Sequence, residues 1–280
     1  MSQDNVLSRV ARSGVTYFVL AALALVTLYP LAWMFFGSLK TTGEFYGNVW
    51  GPPAAPQFAN YAAAWAAGDL GVKIVNSVIV TAGTLIVTVP LATLAAYAIA
   101  RLRFPGRRAL FYLFLFGIAV PQGVTAIPTL TVVLSLGLLN TQAGLVLVLA
   151  AQALSLQIFL MQAFFRSLPR ELEEAAMIDG CSPLGAFARV IVPLTRPALA
   201  TQTVIVGVGA WNEYFLTSIL IRSQDLQTLP VGLVNFSGRY STNYPDLFAA
   251  LTIGALPMLI LFVLAQRQFI SGLTAGAVKG

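Results

Sequence analysis

The sequence predicts an all-α polytopic membrane protein: six transmembrane helices, both termini cytoplasmic, and a cytoplasmic helix-turn-helix elbow between spans 4 and 5. Three observations predict it. First, 58% of the 280 residues are hydrophobic and only 9% are charged, against about 25% charged in a typical soluble domain. Second, charged residues are absent from 13–39, 74–100, 109–165, 197–212 and 247–266, whereas a bilayer core needs about 20 helical residues. These runs are continuous, unlike the short alternating segments of a membrane β-barrel. Third, the basic residues sort by side. With the N-terminus inside, Arg9, Arg12, Arg101, Arg103, Arg107, Arg108, Arg166, Arg170, Arg189, Arg196, Arg267 and Lys279 are cytoplasmic, and only Lys40, Lys73, Arg222 and Arg239 are outside. The positive-inside rule favours that orientation.

The first span covers about 15–36; it exceeds a signal-peptide core and lacks a following small-residue cleavage site, which predicts an uncleaved helix. An outer loop rich in Gly, Pro and Ala follows, in which Phe58, Tyr61 and Trp65 recur at helical spacing, suited to the membrane surface or to an outer partner. Span 2, about 74–100, carries Asn76, Pro90 and Tyr97, and ends in the basic turn Arg101–Arg108 with its Pro105–Gly106 pair. Gly137, Asn140 and Thr141 divide the long third run into span 3, about 109–134, and span 4, about 144–165. Pro121 and Pro128 predict kinks in span 3, with Gln122 between them. Gln152, Ser155 and Gln157 in span 4 need partners within the bundle. Span 5, about 198–221, contains Trp211, Asn212, Glu213 and Tyr214; Glu213 is the one carboxylate well inside a span, suited either to a solute-facing wet cavity or to a structural hydrogen bond. A loop with Tyr240, Asn243 and Tyr244 leads into span 6, about 247–266, with Gly254 and Pro257. No repeat or low-complexity segment divides the chain, which reads as one domain over 1–280.

The elbow, Leu168–Pro197, is the long polar interruption of the second half. Pro169 suits a first helical turn, and Glu171, Glu173 and Glu174 suit the positive end of that helix dipole. Gly180 permits the left-handed residue that ends such a helix. Ser182 followed by Pro183 then reads as an N-cap and first-turn proline, starting a second short helix that carries Leu184, Phe187 and Val190 to Pro193.

Much chemistry is excluded. The chain has no histidine and one cysteine, Cys181, which removes His-based catalysis, histidine or thiolate metal sites and an intrachain disulfide. Its lysines, Lys40, Lys73 and Lys279, follow no phosphate-binding glycine loop. Any use of ATP falls to another chain. The net charge of +6 is accounted for by the inner arginines, so no nucleic-acid partner is implied.

Glu174, Ala175, Ala176 and Gly180, followed by Val190, Val192 and Pro193, resemble the signature of the membrane subunits of bacterial ABC importers. The family usually has Ile and Leu where Val190 and Val192 stand. The turn Arg101–Arg108, the Trp211–Tyr214 stretch and the glycine-rich tail are similar to the sugar-importer branch, in particular to the shorter permease subunit of maltose-type transporters. That resemblance implies the type I importer permease fold and a bacterial inner-membrane location. It implies an elbow that docks on an ATPase subunit through Glu173, Glu174, Ala175, Ala176, Asp179, Gly180 and Pro193. It further implies a second, homologous permease subunit, two ATPase copies that use ATP and magnesium, an extracytoplasmic solute-binding protein and a sugar as cargo, with no cofactor on this chain. The tail, about Gly272–Gly280, is expected to touch the ATPases.

Sugars are held by aromatic stacking and polar side chains, which makes Trp211, Asn212, Glu213, Tyr214, Gln122 and Gln152 the pathway candidates. In maltose-type transporters the other permease subunit supplies most sugar contacts. An importer for another solute, such as a glycerol phosphate or a polyamine, stays open, because that subunit could supply charge. From other classes, an intramembrane enzyme would have to rely on Glu213 or marginal aspartates, and a pure scaffold would need no site at all.

Overall fold

The computed structural model describes the backbone of residues 3–239 and 243–277, and the side chains of 14–236, 238, 243–260 and 263. Tyr240, Lys279 and the side chains of Arg9, Arg12, Arg239, Arg267 and the tail lie outside the described residues. The described elements are helical, as the composition predicts. They fall into two compact units, Met1–Leu70 with Leu233–Leu256, and Gly71–Gly232 with Pro257–Gly280. The evenly apolar sequence carries no signal for this division.

In the first unit, α1 (Gln3–Ser38) holds an apolar stretch, Gly14–Ser38, most of which is not buried in the protein, while Gly37 and Ser38 at its end are. Its end is tied down by the loop that follows. Short helices α2 (Thr42–Gly47) and α3 (Ala59–Ala67) fold back on it. Trp33 donates to Val49 O at 2.8 Å, Asn60 donates to Ser38 O at 2.8 Å and Lys40 O at 2.9 Å, and the Ser38 and Tyr61 hydroxyls lie 2.7 Å apart. Lys40 is fully buried and donates its ammonium to Asn48 O. Trp33, Phe45 and Phe248 pack edge-on or tilted, with ring centroids 4.9–6.3 Å apart. A Cβ on Gly37 would stand 2.4 Å from the Phe248 ring, so glycine is required for this approach. Of the aromatic triplet in the loop, Phe58 and Trp65 are exposed, while Tyr61 is half-buried on Ser38.

The second unit is built on α4 (Leu70–Arg101) and α7 (Gln142–Ser167), both long and apolar enough to cross a membrane. The turn before α7 forms as its residues predict. Gly137 and Asn140 adopt φ of +67° and +59°, and the Thr141 hydroxyl caps α7 by accepting from Gly144 N at 3.0 Å. Asn140 then accepts from the Arg222 and Ser223 amides, both at 2.9 Å, joining this turn to a loop about 80 residues on. Asn76 of α4 donates to Asp225 O at 2.7 Å and Gln227 O at 3.0 Å, so a polar residue within span 2 anchors the same loop.

Two expected continuous spans are broken. Residues 109–134 form α5 (Arg107–Ala119) and α6 (Gln122–Ser135), bent by 110°. Pro121 drives the break: it lacks the amide that would continue α5, and it forces Val120 into the extended region at φ −82°, ψ 117°. Residues 198–221 form α11 (Arg196–Trp211) and α12 (Phe215–Leu220), with Asn212 at the C-cap. After α13 (Leu229–Arg239), the helix expected as span 6, α14 (Tyr244–Ala277), begins earlier than expected, and its described apolar part is Tyr244–Ile260.

Two clusters form the core of this unit. Val80, Leu145, Leu149, Leu216 and Leu220 pack α4, α7 and α12 at one end. At the other, Ala92, Ala96, Ile99, Ile158 and Phe165 of α4 and α7 receive Phe187 and Ile191 from the elbow. Small residues on α4 let the elbow approach closely.

Candidate functional site

The elbow begins at α8 (Glu171–Ile178). Pro169 stands before this helix and not in its first turn; it holds Leu168 extended, at φ −77° and ψ 139°, where α7 ends. Glu171, Glu173 and Glu174 occupy the first turn, as the dipole argument predicts. At the other end Gly180 has φ +88°; Cys181 N donates to Ala176 O at 3.0 Å and Gly180 N to Met177 O at 3.1 Å. This paired pattern closes the helix carbonyls and needs the left-handed glycine. Ser182 caps α9 (Pro183–Ala186) by accepting from Gly185 N at 3.1 Å.

A π-turn, Phe187–Ile191, joins α9 to α10 (Val192–Leu194). Val192 N bonds to Phe187 O, five residues back, just ahead of Pro193, which has no amide to offer. The added residue per turn rotates Phe187 and Ile191 into the core, and the Phe187 ring meets Tyr97 of α4 at 4.4 Å. The helix then bends by 74° into α11 at Thr195, which is fully buried.

The acidic residues of α8 divide between inside and outside. Glu173 is 14% exposed and pairs through Oε1 with Arg101 Nε at 2.9 Å, while Tyr97 donates to its Oε2 at 3.4 Å. Arg101 is 5% exposed and also donates to Leu168 O at 2.8 Å. These contacts fasten α8 to the end of α4. Glu174, Ala175, Asp179, Gly180 and Pro193 are exposed, whereas Ala176 is buried. Around them Ile178 (86%) and Leu184 (74%) offer apolar side chains to the outside, with Met177 beside them. Sequence reasoning missed Arg101 and Tyr97 as partners of Glu173. Their signal was a lone arginine and tyrosine one helical turn apart at the end of an apolar span.

The pathway candidates only partly converge. A cavity of about 260 Å³ is lined by Thr84, Gln122, Gln152, Gln157 and Glu213 together with apolar residues of α7 and α11. Gln122 donates to Gln152 Oε1 at 2.8 Å, bridging α6 and α7. Gln157 is 1% exposed and its Oε1 has no hydrogen-bond partner, so a buried polar atom awaits a donor beside this cavity. Glu213 serves two roles: it lines the cavity, and its Oε1 accepts from Leu216 N at 2.7 Å, capping α12. Trp211, Asn212 and Tyr214 do not line the cavity; Asn212 donates to Val208 O at 2.9 Å and Tyr214 is exposed. The helix break turns the aromatic neighbours of Glu213 away from it. Thr84 and Gln157 are cavity residues that sequence reasoning did not select, because apolar neighbours in continuous spans hide which face a polar residue takes. No cluster of metal-binding side chains occurs among the described residues.

A polytopic helical bundle with a welded, outward-facing elbow and a polar cavity between its helices has the parts of a membrane transport subunit. The chain belongs to the family of binding-protein-dependent transport system inner membrane components, whose pattern matches residues 88–273, and is a permease subunit of that kind. It is 33% identical to the diacetylchitobiose uptake system permease protein NgcG of Streptomyces coelicolor, over 95% of this chain and 89% of that one. It is 35% identical to the melibiose/raffinose/stachyose import permease protein MelC of Bacillus subtilis, covering 87% and 88% of the two chains. Among solved structures it is similar to a bacterial ABC transporter involved in the import of the acidic polysaccharide alginate, with a TM-score of 0.81 and 25% identity over 95% of this chain and 98% of that one.

Proposed function

We propose that this permease forms half of the translocation pathway of an ATP-driven importer for a sugar or oligosaccharide. The chain crosses a bacterial cytoplasmic membrane six times, with α5–α6 and α11–α12 each acting as one broken crossing and both termini cytoplasmic. A second homologous permease completes the pathway, an external binding protein delivers the solute, and two ATPase subunits hydrolyse ATP with magnesium. This chain holds no cofactor.

The division of the elbow carries the reading. A solvated loop has no reason to turn Ile178 and Leu184 outward while burying an ion pair beneath them. A docking element has: the exposed face meets a groove on the ATPase, Glu174 and Asp179 pair with basic groups there, and Gly180 and Pro193 shape the turn back to the spans. Closure of the ATPases then moves α8 and, through Glu173 and Arg101, the end of α4, as a rigid-body form of alternating access.

The cargo assignment draws on the cavity and on the relatives. Amide and hydroxyl groups with one carboxylate, and no lysine or arginine, suit a neutral polyhydroxyl solute better than an anion. Of the named relatives, one belongs to a diacetylchitobiose uptake system and one to melibiose, raffinose and stachyose import, while the similar solved transporter imports the acidic polysaccharide alginate. The relatives therefore support a saccharide, and the cavity lining carries the preference for a neutral one. The test is uptake of a panel of sugars and polyamines by the complete complex in proteoliposomes. Gln157→Leu is expected to raise the KM for the accepted sugar about fivefold or more with assembly intact, the cost of one lost hydrogen bond. Uptake of a polyamine in place of every sugar would overturn the assignment.

A further inference from the structure

A second strongly charged concavity lies beside the elbow, and neither docking nor the pathway uses it. The basic turn between α4 and α5 and the start of α8 enclose about 550 Å³ lined by Arg103, Arg107, Arg108 and Arg170 with Phe104. A recess of about 200 Å³ continues from it, sharing Arg107 and Arg108 and adding Arg166, Phe111 and Tyr112.

Among the described residues no carboxylate pairs with these arginines. The pair of Arg101 with Glu173 is the one ion pair among the described residues. Arg107 donates to Leu102 O at 3.0 Å, and Arg166 lies 6.0 Å from the Phe111 ring centroid. These contacts orient two guanidinium groups without cancelling their charge. The side chains of Arg103, Arg108 and Arg170 have no polar partner among the described residues. Like charges gathered in this way repel one another, and an anion relieves the repulsion. Guanidinium forks match phosphate oxygens in geometry as well as charge.

The surroundings choose the kind of phosphate. Helix α5 leaves the cavity with no buried residue, and Tyr112, Leu113 and Phe116 are 64–70% exposed along it. A ligand seated here therefore has an ionic end among arginines and an apolar body against a bare helix. We propose that this cluster binds the phosphate of an anionic diacyl phospholipid in the cytoplasmic leaflet, with the acyl chains lying along α5. The inference rests on the topology proposed above, which puts the Arg101–Arg108 turn at the inner membrane surface. Because Arg170 opens α8, such a lipid would also buttress the elbow from the membrane side.

The test uses the assembled complex of both permeases and the ATPases. Retained phosphatidylglycerol and phosphatidylcholine of identical acyl chains are counted by native mass spectrometry after detergent exchange, with and without inorganic phosphate. The wild type is expected to retain phosphatidylglycerol about tenfold more than phosphatidylcholine, and Arg107→Gln with Arg108→Gln to abolish that preference. Arg103→Gln with Arg170→Gln, which leaves the α5 start untouched, is expected to do the same. Equal retention of the two lipids, or an unchanged preference in both double variants, overturns the proposal. Displacement of the lipid by inorganic phosphate at millimolar concentration overturns it in favour of a soluble anion, and loss of the ATPases from both variants in favour of a protein interface. A cysteine probe separates the failure of the topology: Ser182→Cys, with Cys181→Ala, is expected to react with an impermeant maleimide only after the cytoplasmic side is opened.

Discussion

At the scale of single residues, Glu173 and Glu174 are neighbours with opposite surroundings. One helical step turns Glu173 toward Arg101 and Glu174 toward the outside. Removing one member of a buried pair strands the other charge, at a cost of about 3–5 kcal/mol. Glu173→Gln is therefore expected to lower the thermal stability of the purified complex and to separate ATP hydrolysis from uptake. The exchanged pair, Arg101→Glu with Glu173→Arg, is expected to recover a substantial part of both. Failure of the exchange to recover coupling while stability returns would show that Glu173 acts outward after all. Gly180 illustrates a different constraint. A Cβ there would meet nothing within 4 Å, so its requirement lies entirely in the backbone, at φ +88°.

At the scale of elements, breaks in helices create the site. The loss of helix after Trp211 frees Glu213 to cap α12 while reaching the cavity, and the bend at Pro121 brings Gln122 onto Gln152. Glu213→Gln keeps an acceptor for Leu216 N and removes the charge, so assembly is expected to be unchanged and uptake slower. Glu213→Ala also removes the cap, costing about 1 kcal/mol, and is expected to lower the unfolding temperature of the complex as well. Uptake kinetics identical to wild type in Glu213→Gln would leave this carboxylate a purely structural group. The two prolines in span 3 predicted a disturbance, but not that one of them would sit quietly inside a helix. Pro128 lies within α6, whereas Pro121 ends α5.

For the molecule as a whole, the decisive surface is the face of the elbow that this chain does not cover. Ile178 and Leu184 project from two different helices on either side of the Gly180 turn. Ile178→Asp and Leu184→Asp leave the internal packing of Phe187 and Ile191 untouched. Each is expected to weaken co-purification of the ATPases tenfold or more, about the cost of burying an unpaired charge in an interface, while the two permeases stay together. Full recovery of ATPase subunits with both variants would remove the elbow from the docking role.

The sequence by itself determined the helical, membrane-embedded class, the place of the elbow, the turn at Gly137–Thr141 and the lack of any nucleotide loop. Each of these depends on local composition, on capping chemistry or on the run length a bilayer requires, and all are written in consecutive residues. The tertiary structure alone decided which carboxylate of α8 faces inward, which glutamines share a cavity, where the helices expected as spans 3 and 5 break, and that four arginines line one concavity with a fifth in the recess beside it. Those outcomes depend on partners far apart in the chain: Arg101 for Glu173, the small face of α4 for Phe187, α7 for Gln122. In spans that are apolar on nearly every side, periodicity does not mark which face meets protein and which meets lipid, so only packing resolves it.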